Sequence, residues 1–348
     1  MDGELIHAMP ENKWQKQFNT KVQDVIEVVL LDRGEYYRNN PKAIPSQDTL
    51  PHLIASYANK NMAISGGISL IPGTLGMVAA IPEILLVIRN QLSMIYDIGI
   101  AYDRKDILTK ELLLGILLSA SGTSTGGLLV FHGGKYLVRR TSLRVLQRAV
   151  AILGGKITQQ LLKSMIAKWL PILGAGAIAA WSNYSTRRIG KLANTIFLSP
   201  IELSTQEVDE KGFTELERKE ILFQDQESVG NSSLTILRIT ALINLMKVDQ
   251  KLHQSEEDYV RTLITQANIS ESDKADLLSY MAGDVKRSID FAMFSENVDE
   301  ATGLLLDMIT LGKWDGDLHA AEKIYIKQAA KRMGIDEGDV DEAFALSE

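Results

Sequence analysis

Two short segments of the chain each combine carboxylates with an imidazole. The residues are Asp249, His253 and Glu256 in the first segment, and Asp315, Asp317, His319 and Glu322 in the second. Carboxylate oxygens and imidazole nitrogens are ligands that divalent cations use in proteins. The spacing therefore predicts a divalent-cation site at each segment, although it lacks the D-x-D-x-D-G pattern of an EF-hand. The sequence indicates no other cofactor.

The same residues also suit a structural role at the start of a helix. In each segment the His-x-x-Glu spacing places Glu256 or Glu322 where a capping-box residue accepts a hydrogen bond from the N-cap N–H. Asp249 and Asp315 would then accept hydrogen bonds from turn amides. Both interpretations predict a turn followed by a helix, and the sequence leaves them open.

A further motif resembles the site of a nucleophilic serine. Residues 122–126 match G-x-S-x-G around Ser124. In hydrolases this motif follows a strand and precedes a helix, whereas residues 112–118 predict a helix before it. Small residues at this spacing also let helices approach closely. Residues 133–135 lack the rest of a P-loop, so we expect a protein that is not an enzyme.

The two segments with histidine belong to an internal repeat. Residues 247–259 and 313–325 align at an offset of 66. The identical pairs include Leu252 with Leu318 and Tyr259 with Tyr325. Each copy has the pattern of an apolar helix, a short turn and an amphipathic helix. The sequence therefore predicts a duplicated helical hairpin.

Acidic and basic residues are unevenly distributed along the chain. Between Glu111 and Glu202 there is no Asp or Glu, but there are eleven Lys and Arg. Residues 202–348 contain 31 acidic and 15 basic residues. Such asymmetry indicates a polyanionic partner for the basic part. The apolar content of that part favours a membrane surface and argues against nucleic acid.

Three uncharged stretches approach the length of a membrane span. They are residues 62–82, 112–131 and 169–186. A helix needs about 20 apolar residues to cross a bilayer, but glycine, proline or small polar residues interrupt each stretch. We therefore expect peripheral rather than integral attachment. The chain has no cysteine and its first residues lack the pattern of a secretory signal, which favours the cytoplasmic side.

The clearest amphipathic pattern lies at residues 137–153. Its basic positions are Arg140, Arg144 and Arg148, and its apolar positions are Leu143, Leu146, Val150 and Leu153. Further basic residues follow at Lys156, Lys163 and Lys168. The pattern predicts a helix that binds anionic lipid through its basic face. A bundle helix with a solvated basic face is the alternative.

Two charged residues interrupt an otherwise apolar helix that the sequence predicts from about Pro82 to Tyr102. They are Arg89 and Asp97. Pro82 suits the first turn of that helix, because its missing N–H is not needed there. The two charges either pair inside a bundle or reach toward an interface.

The repeat resembles the TerB-like family, which was first met in tellurite resistance. In that family a helix ends in Asp-Gly and the next helix begins before a glutamate, as in Asp315-Gly316 and Glu322. The first copy departs from the pattern with Gln250 in place of glycine. The resemblance covers about residues 230–348. It implies a non-enzymatic module of bacterial stress and conflict systems, often at the membrane and sometimes with proposed metal binding.

Residues 50–200 resemble the EcsC family. The matching residues are Gly66, Gly67, 71–76, 81–83, 89–92 and 101–103, followed by Pro171, 173–175, Asn183, Ile189, Gly190 and Ala193. The family often has aspartate at the position of Glu83 and glycine at that of Ala101. The resemblance implies a membrane-proximal protein with no agreed reaction.

Together these features predict an all-α protein of two domains. An apolar and basic domain spans residues 1–200, an acidic linker residues 201–229, and an acidic domain residues 230–348. We expect the first domain to bind anionic lipid at the cytoplasmic face of the inner membrane. The second domain would bind a protein partner or an ion in a stress or defence response. The alternative is a soluble, metal-responsive adaptor whose two halves bind each other.

Overall fold

The chain divides into two compact units, Met1–Glu217 and Arg218–Glu348. The structure is a computed structural model that describes residues 13–66, 73–121, 127–153, 174–208, 232–248, 253–267, 269–283, 285–295, 298–313 and 318–346. Both units are mainly helical, as the sequence predicted.

Six helices are described in the N-terminal unit. They are α1 (Lys13–Asn39), α2 (Leu50–Gly66), α3 (Gly73–Ala101), α4 (Lys110–Ala120), α5 (residues 143–153) and α6 (Gly174–Leu198). Helices α2, α3 and α6 pack against one another, and α1 packs along α3. Helix α4 is apolar and buried over nearly its whole length, as expected of a helix without a polar face.

A close contact between α2 and α6 depends on a glycine. A Cβ atom added at Gly190 of α6 would lie 2.8 Å from two side-chain carbons of Ile54 on α2. Real Cβ atoms do not approach carbon atoms this closely, so any larger residue would push the helices apart. The absence of a side chain therefore sets the spacing of α2 and α6.

Helix α3 begins earlier than the sequence predicted. It starts at Gly73, so Pro82 lies inside the helix and not in its first turn. An internal proline removes one helical hydrogen bond. Ile81–Ala101 is the one segment among the described residues that is long and apolar enough to cross a membrane, and most of it is buried within the unit. A core helix of a soluble protein has the same properties, so this segment is weak evidence for a span.

A small sheet joins two parts of the N-terminal unit and was not predicted. Strand β1 (Leu129–His132) pairs antiparallel with β2 (Lys135–Arg140), which pairs parallel with β3 (Ile201–Glu207). Gly133 and Gly134 form the β1–β2 turn with φ of 60° and 79°. Two consecutive positive φ values are what a tight hairpin turn requires.

This sheet corrects two expectations. Residues 137–140 belong to β2, so the amphipathic helix predicted over 137–153 begins only at residue 143. The segment 201–229, predicted to be a linker, contains β3, whereas residues 209–231 lie outside the described part. Residues 137–140 form a strand that places Val138 in the core. The second edge of this strand pairs with β3, so the start of the predicted linker belongs to the sheet.

The described helices of the C-terminal unit follow the repeat. They are α7 (Ser232–Met246), α8 (Gln254–Gln266), α9 (Glu271–Ala282), α10 (Val298–Gly312), α11 (Ala320–Arg332) and α12 (Glu337–Leu346). Helices α8 and α11 begin 66 residues apart, and so do α9 and α12. The two copies therefore have the same order of helices.

Candidate functional site

The basic residues predicted to bind lipid do not share one helix face. Arg140 is exposed at the end of β2, Arg144 is exposed on α5, and Arg148 on α5 is half-buried. Leu143, predicted on the apolar face, is 62% exposed. Leu146, Val150 and Leu153 are buried as predicted. The remaining predicted residues, Lys156, Lys163 and Lys168, lie outside the described residues.

We call Arg140, Leu143 and Arg144 the β2–α5 junction. The backbone holds this junction in place at both ends. The Arg140 carbonyl accepts a hydrogen bond from the N–H of Val208 at 3.0 Å. The hydroxyl of Ser142 accepts one from the N–H of Val145 at 3.3 Å and caps α5. These hydrogen bonds restrain the backbone of a segment in which an exposed leucine lies between two exposed arginines in sequence.

The β1–β2 hairpin presents a second exposed apolar side chain. Phe131 is 61% exposed and its ring lies 4.9 Å from that of Tyr136, its partner across the hairpin. A cross-strand aromatic pair stabilises a hairpin. No sequence pattern distinguished Phe131, because it is the last residue of the uncharged stretch 112–131.

The second predicted metal segment forms a helix cap. The Nδ1 atom of His319 accepts a hydrogen bond from the N–H of Ala321 at 3.3 Å, and Glu322 accepts one from the N–H of His319 at 2.9 Å. This is a capping box at the start of α11. The structural alternative is therefore confirmed for this copy. Because Nδ1 is engaged, Nε2 is the ring atom left to bind a metal ion.

The first predicted metal segment also lies at the start of a helix, but there the histidine side chain makes no capping hydrogen bond. His253 is the exposed N-cap residue of α8, and Glu256 is buried in the first turn. The other predicted ligands, Asp249, Asp315 and Asp317, lie outside the described residues. Within the described ranges, no group of three or more His, Asp and Glu side chains lies close enough to hold a metal ion. Metal binding at these segments stays a prediction.

The capping box leads to a testable difference in stability. Replacement of Glu322 by alanine removes the bond to the His319 N–H, and we expect a loss of about 1 kcal/mol in the free energy of unfolding. Urea denaturation of the full-length protein measures this loss. Glu271→Ala is the matched control, because Glu271 occupies the first turn of α9 and is exposed. If Glu322 instead served a metal site, calcium or zinc would stabilise the wild type and not the Glu322→Ala variant.

A buried ion pair joins three helices of the N-terminal unit. Asp97 of α3 is 2% exposed. Its two carboxylate oxygens accept hydrogen bonds from Nε and Nη2 of Arg33 on α1, at 2.7 and 2.8 Å. The hydroxyl of Tyr57 on α2 donates to the same carboxylate at 2.8 Å. Burial raises the pKa of Asp97, whereas Arg33 and Tyr57 act in the opposite direction.

This pairing decides between the two alternatives for the charges on α3. Asp97 pairs inside the helical bundle, and Arg89 lies at the surface, where it bonds to Asp32 at 2.8 Å. Arg33 was not predicted as the partner of Asp97, because it lies on another helix and 64 residues away in the chain. Both interactions connect α1 with α3.

A network of neutral side chains connects α2, α3 and α6. Asn90 donates to the side-chain oxygen of Asn61 at 2.7 Å, and Asn61 donates to the hydroxyl of Thr186 at 2.9 Å. Gln91 donates to the same hydroxyl at 3.3 Å. All four residues are buried. Buried polar groups that are paired in this way favour one register of the three helices.

The C-terminal unit has an ion-pair cluster between equivalent helices of the two copies. Arg238 of α7 donates through Nε to Asp307 of α10 at 2.6 Å, and its Nη1 lies 3.6 Å from Glu300 of α10. Glu300 is buried, and Arg238 and Asp307 are partly buried. The cluster fixes α7 against α10.

Residues 235–345 match the family model described as tellurite resistance protein TerB. The C-terminal unit is TerB-like. The matched segment begins within α7 and ends within α12, so the TerB-like unit includes both copies of the repeat. The match does not extend to residues 50–200, and their resemblance to the EcsC family stays a prediction. No curated protein and no solved structure matches the chain.

Proposed function

We propose that the protein binds anionic membrane surfaces through its N-terminal unit and presents the TerB-like unit to a protein partner or a divalent cation, without catalysing a reaction. The observation that supports membrane binding is the β2–α5 junction. Exposed Leu143 lies between exposed Arg140 and Arg144, in a stretch of chain without carboxylates. The TerB match supports a module of the tellurite-resistance type, and the proposal assigns it to a bacterial stress or defence response at the cytoplasmic face of the inner membrane.

Arg140 and Arg144 are expected to contribute unequally to the binding of anionic membranes. Strand β3 brings two carboxylates to the sheet: Glu202 bonds to Lys135 at 2.6 Å, and Glu207 lies opposite Arg140 in the strand register. Arg144 lies on α5, outside the sheet. A basic side chain near an anionic surface contributes about 1 kcal/mol. We therefore expect Arg144 to contribute more to the binding free energy than Arg140. Leu143, which lies between them in sequence, would enter the membrane interface.

Charge reversal at the junction tests the proposal. The double variant Arg140→Glu/Arg144→Glu removes two attractive charges and adds two repulsive ones, so we expect binding to weaken about 30-fold or more. Flotation of the full-length protein with phosphatidylserine/phosphatidylcholine vesicles measures the affinity. Vesicles of phosphatidylcholine alone should bind little protein, and high salt should release the bound protein.

The control variant is Arg38→Glu/Lys42→Glu. Both residues are exposed in the same unit but lie outside the acid-free stretch, and the net charge changes equally. Equal loss of binding in the two double variants would show that only the net charge matters and would refute the role of the junction. Absence of flotation by the wild type would favour the soluble adaptor, whose thermal stability should respond to calcium or zinc and not to vesicles.

A further inference from the structure

We propose that the β2–α5 junction of one molecule binds an exposed acidic face of α1 on a second copy of the chain. This inference goes beyond the proposed function, because it gives the junction a protein partner in addition to the membrane. The face of α1 has an apolar centre and an acidic border, whereas the junction has an apolar centre and a basic border. We call the residues of this face the α1 patch: Glu27, Val28, Leu31 and Glu35.

The centre of the α1 patch is exposed and apolar. Leu31 is 73% exposed and Val28 is 41% exposed. Their spacing of three residues places them on one face of α1. Burial of such side chains against a partner removes apolar area from water and favours association. Single exposed leucines are nevertheless common on protein surfaces, so the charges around Leu31 decide what the patch can bind.

Two carboxylates border this centre. Glu27 precedes Leu31 by four residues and Glu35 follows it by four, so one lies a helical turn to each side. Both are exposed, and within the part of the chain that the structure describes neither forms an ion pair. Another acid of this face, Asp24, is already engaged in an ion pair. Arg38 lies about 10 Å beyond Leu31 along the helix, so the immediate border of Leu31 is acidic.

The β2–α5 junction has the same arrangement with the opposite charge. Leu143 is 62% exposed, and Arg140 and Arg144 on either side of it in sequence are exposed. Neither arginine forms an ion pair with any described residue, although Glu207 lies opposite Arg140 in the strand register. Opposite charges that meet across an interface select the partner and fix its register. The junction therefore complements the α1 patch in both its apolar and its charged parts.

The two surfaces also match in size. The Cα atoms of Glu27 and Glu35 lie about 12 Å apart at the rise of an α-helix. The Cα atoms of Arg140 and Arg144 are at most about 14 Å apart, because they are four residues apart in the chain. Arginine side chains are long enough to cover a difference of this size. Both arginines can therefore reach a carboxylate while the two exposed leucines are in contact.

This contact forms between two molecules. Leu31 and Leu143 are both largely exposed, so the α1 patch and the junction of one molecule do not contact each other. Two different surfaces that bind each other make a heterologous contact, which continues into longer assemblies unless it closes into a ring. An interface of this small size is weak. We therefore expect self-association that depends on the protein concentration.

The mass of the protein in solution tests the inference. In sedimentation equilibrium without lipid, the average mass of the full-length chain should rise above the 38.5 kDa of the monomer between about 1 and 100 μM. Glu27→Arg/Glu35→Arg places like charges in contact and should weaken association about tenfold or more. Arg140→Glu/Arg144→Glu should do the same from the other side.

Combination of the two double variants should restore association. The quadruple variant has the net charge of the wild type, and its opposite charges again face each other with their positions exchanged. Circular dichroism checks that all variants are folded. A wild type that stays monomeric throughout the concentration range would overturn the inference, and so would a folded quadruple variant that stays monomeric.

Two matched controls separate the α1 patch from general surface effects. Lys323→Glu/Lys331→Glu changes the net charge as much as the junction variant does, at exposed residues of the TerB-like unit, and should associate as the wild type does. Leu31→Ser should weaken association about tenfold, whereas Leu198→Ser, at a leucine of α6 that is 62% exposed, should not. Equal losses in the test and control variants would overturn the role of the α1 patch.

The outcomes also separate this inference from the membrane function. A junction that is bound to a second copy is not available to lipid, so anionic vesicles should compete with self-association, and this consequence rests on the proposed function. Leu31→Ser should float with phosphatidylserine/phosphatidylcholine vesicles at least as well as the wild type. Self-association without flotation would overturn the membrane function and leave the contact intact. Flotation of a strictly monomeric protein would overturn the contact and leave the membrane function intact.

Discussion

Replacement of Asp97 by alanine is expected to lower the free energy of unfolding by about 3–5 kcal/mol. The carboxylate accepts hydrogen bonds from Arg33 and Tyr57 in the interior of the N-terminal unit. Without it, the partly buried guanidinium of Arg33 loses its counter-ion and the hydroxyl of Tyr57 loses its acceptor. A buried charge without a partner is one of the costliest defects in a protein. Urea denaturation followed by circular dichroism measures the loss.

The surface pair between the same helices supplies the control. Asp32 and Arg89 also connect α1 with α3, but their side chains are 54% and 47% exposed. Exposed ion pairs contribute about 0–1 kcal/mol, so Asp32→Ala should cost little. Similar losses for Asp97→Ala and Asp32→Ala would show that burial does not determine the strength of this pair.

Replacement of Arg238 by methionine should cost the TerB-like unit about 2–4 kcal/mol. The substitution keeps much of the side-chain volume but leaves Asp307 and Glu300, which both contact Arg238, without a cation. Both carboxylates lie on α10, so their repulsion acts at the contact between α7 and α10. The loss should appear in urea denaturation of the full-length protein.

A second substitution should restore part of this stability. In Arg238→Met/Asp307→Leu the unpaired carboxylate is gone, and apolar replacement of a buried ion pair is often neutral. Arg261→Met is the matched single control, since Arg261 pairs with Glu257 on the exposed side of α8 and should cost less than about 1 kcal/mol. A double variant as unstable as Arg238→Met would contradict the ion-pair explanation.

The sequence by itself determined features that depend on local order along the chain. The 66-residue repeat predicted the recurrence of helices in the TerB-like unit, because identical residues recur at the helix starts and along the helices of both copies. The His-x-x-Glu spacing likewise predicted either a divalent-cation site or a capping box, and the capping box is present at His319 and Glu322. The charge partition is also a property of sequence alone. Fold class and the helix starts at α8 and α11 follow from these patterns.

The tertiary structure decided what depends on residues far apart in the chain. The pairing of Asp97 with Arg33 and the sheet between β2 and β3 join segments separated by about 60 residues. The periodicity of one segment does not identify the segment with which it pairs. The pattern of residues 137–140 therefore predicted a helix, whereas pairing with β3 makes them part of a strand. Packing of α2 on α6 likewise places Asn61 beside Thr186, although 125 residues separate them in the chain.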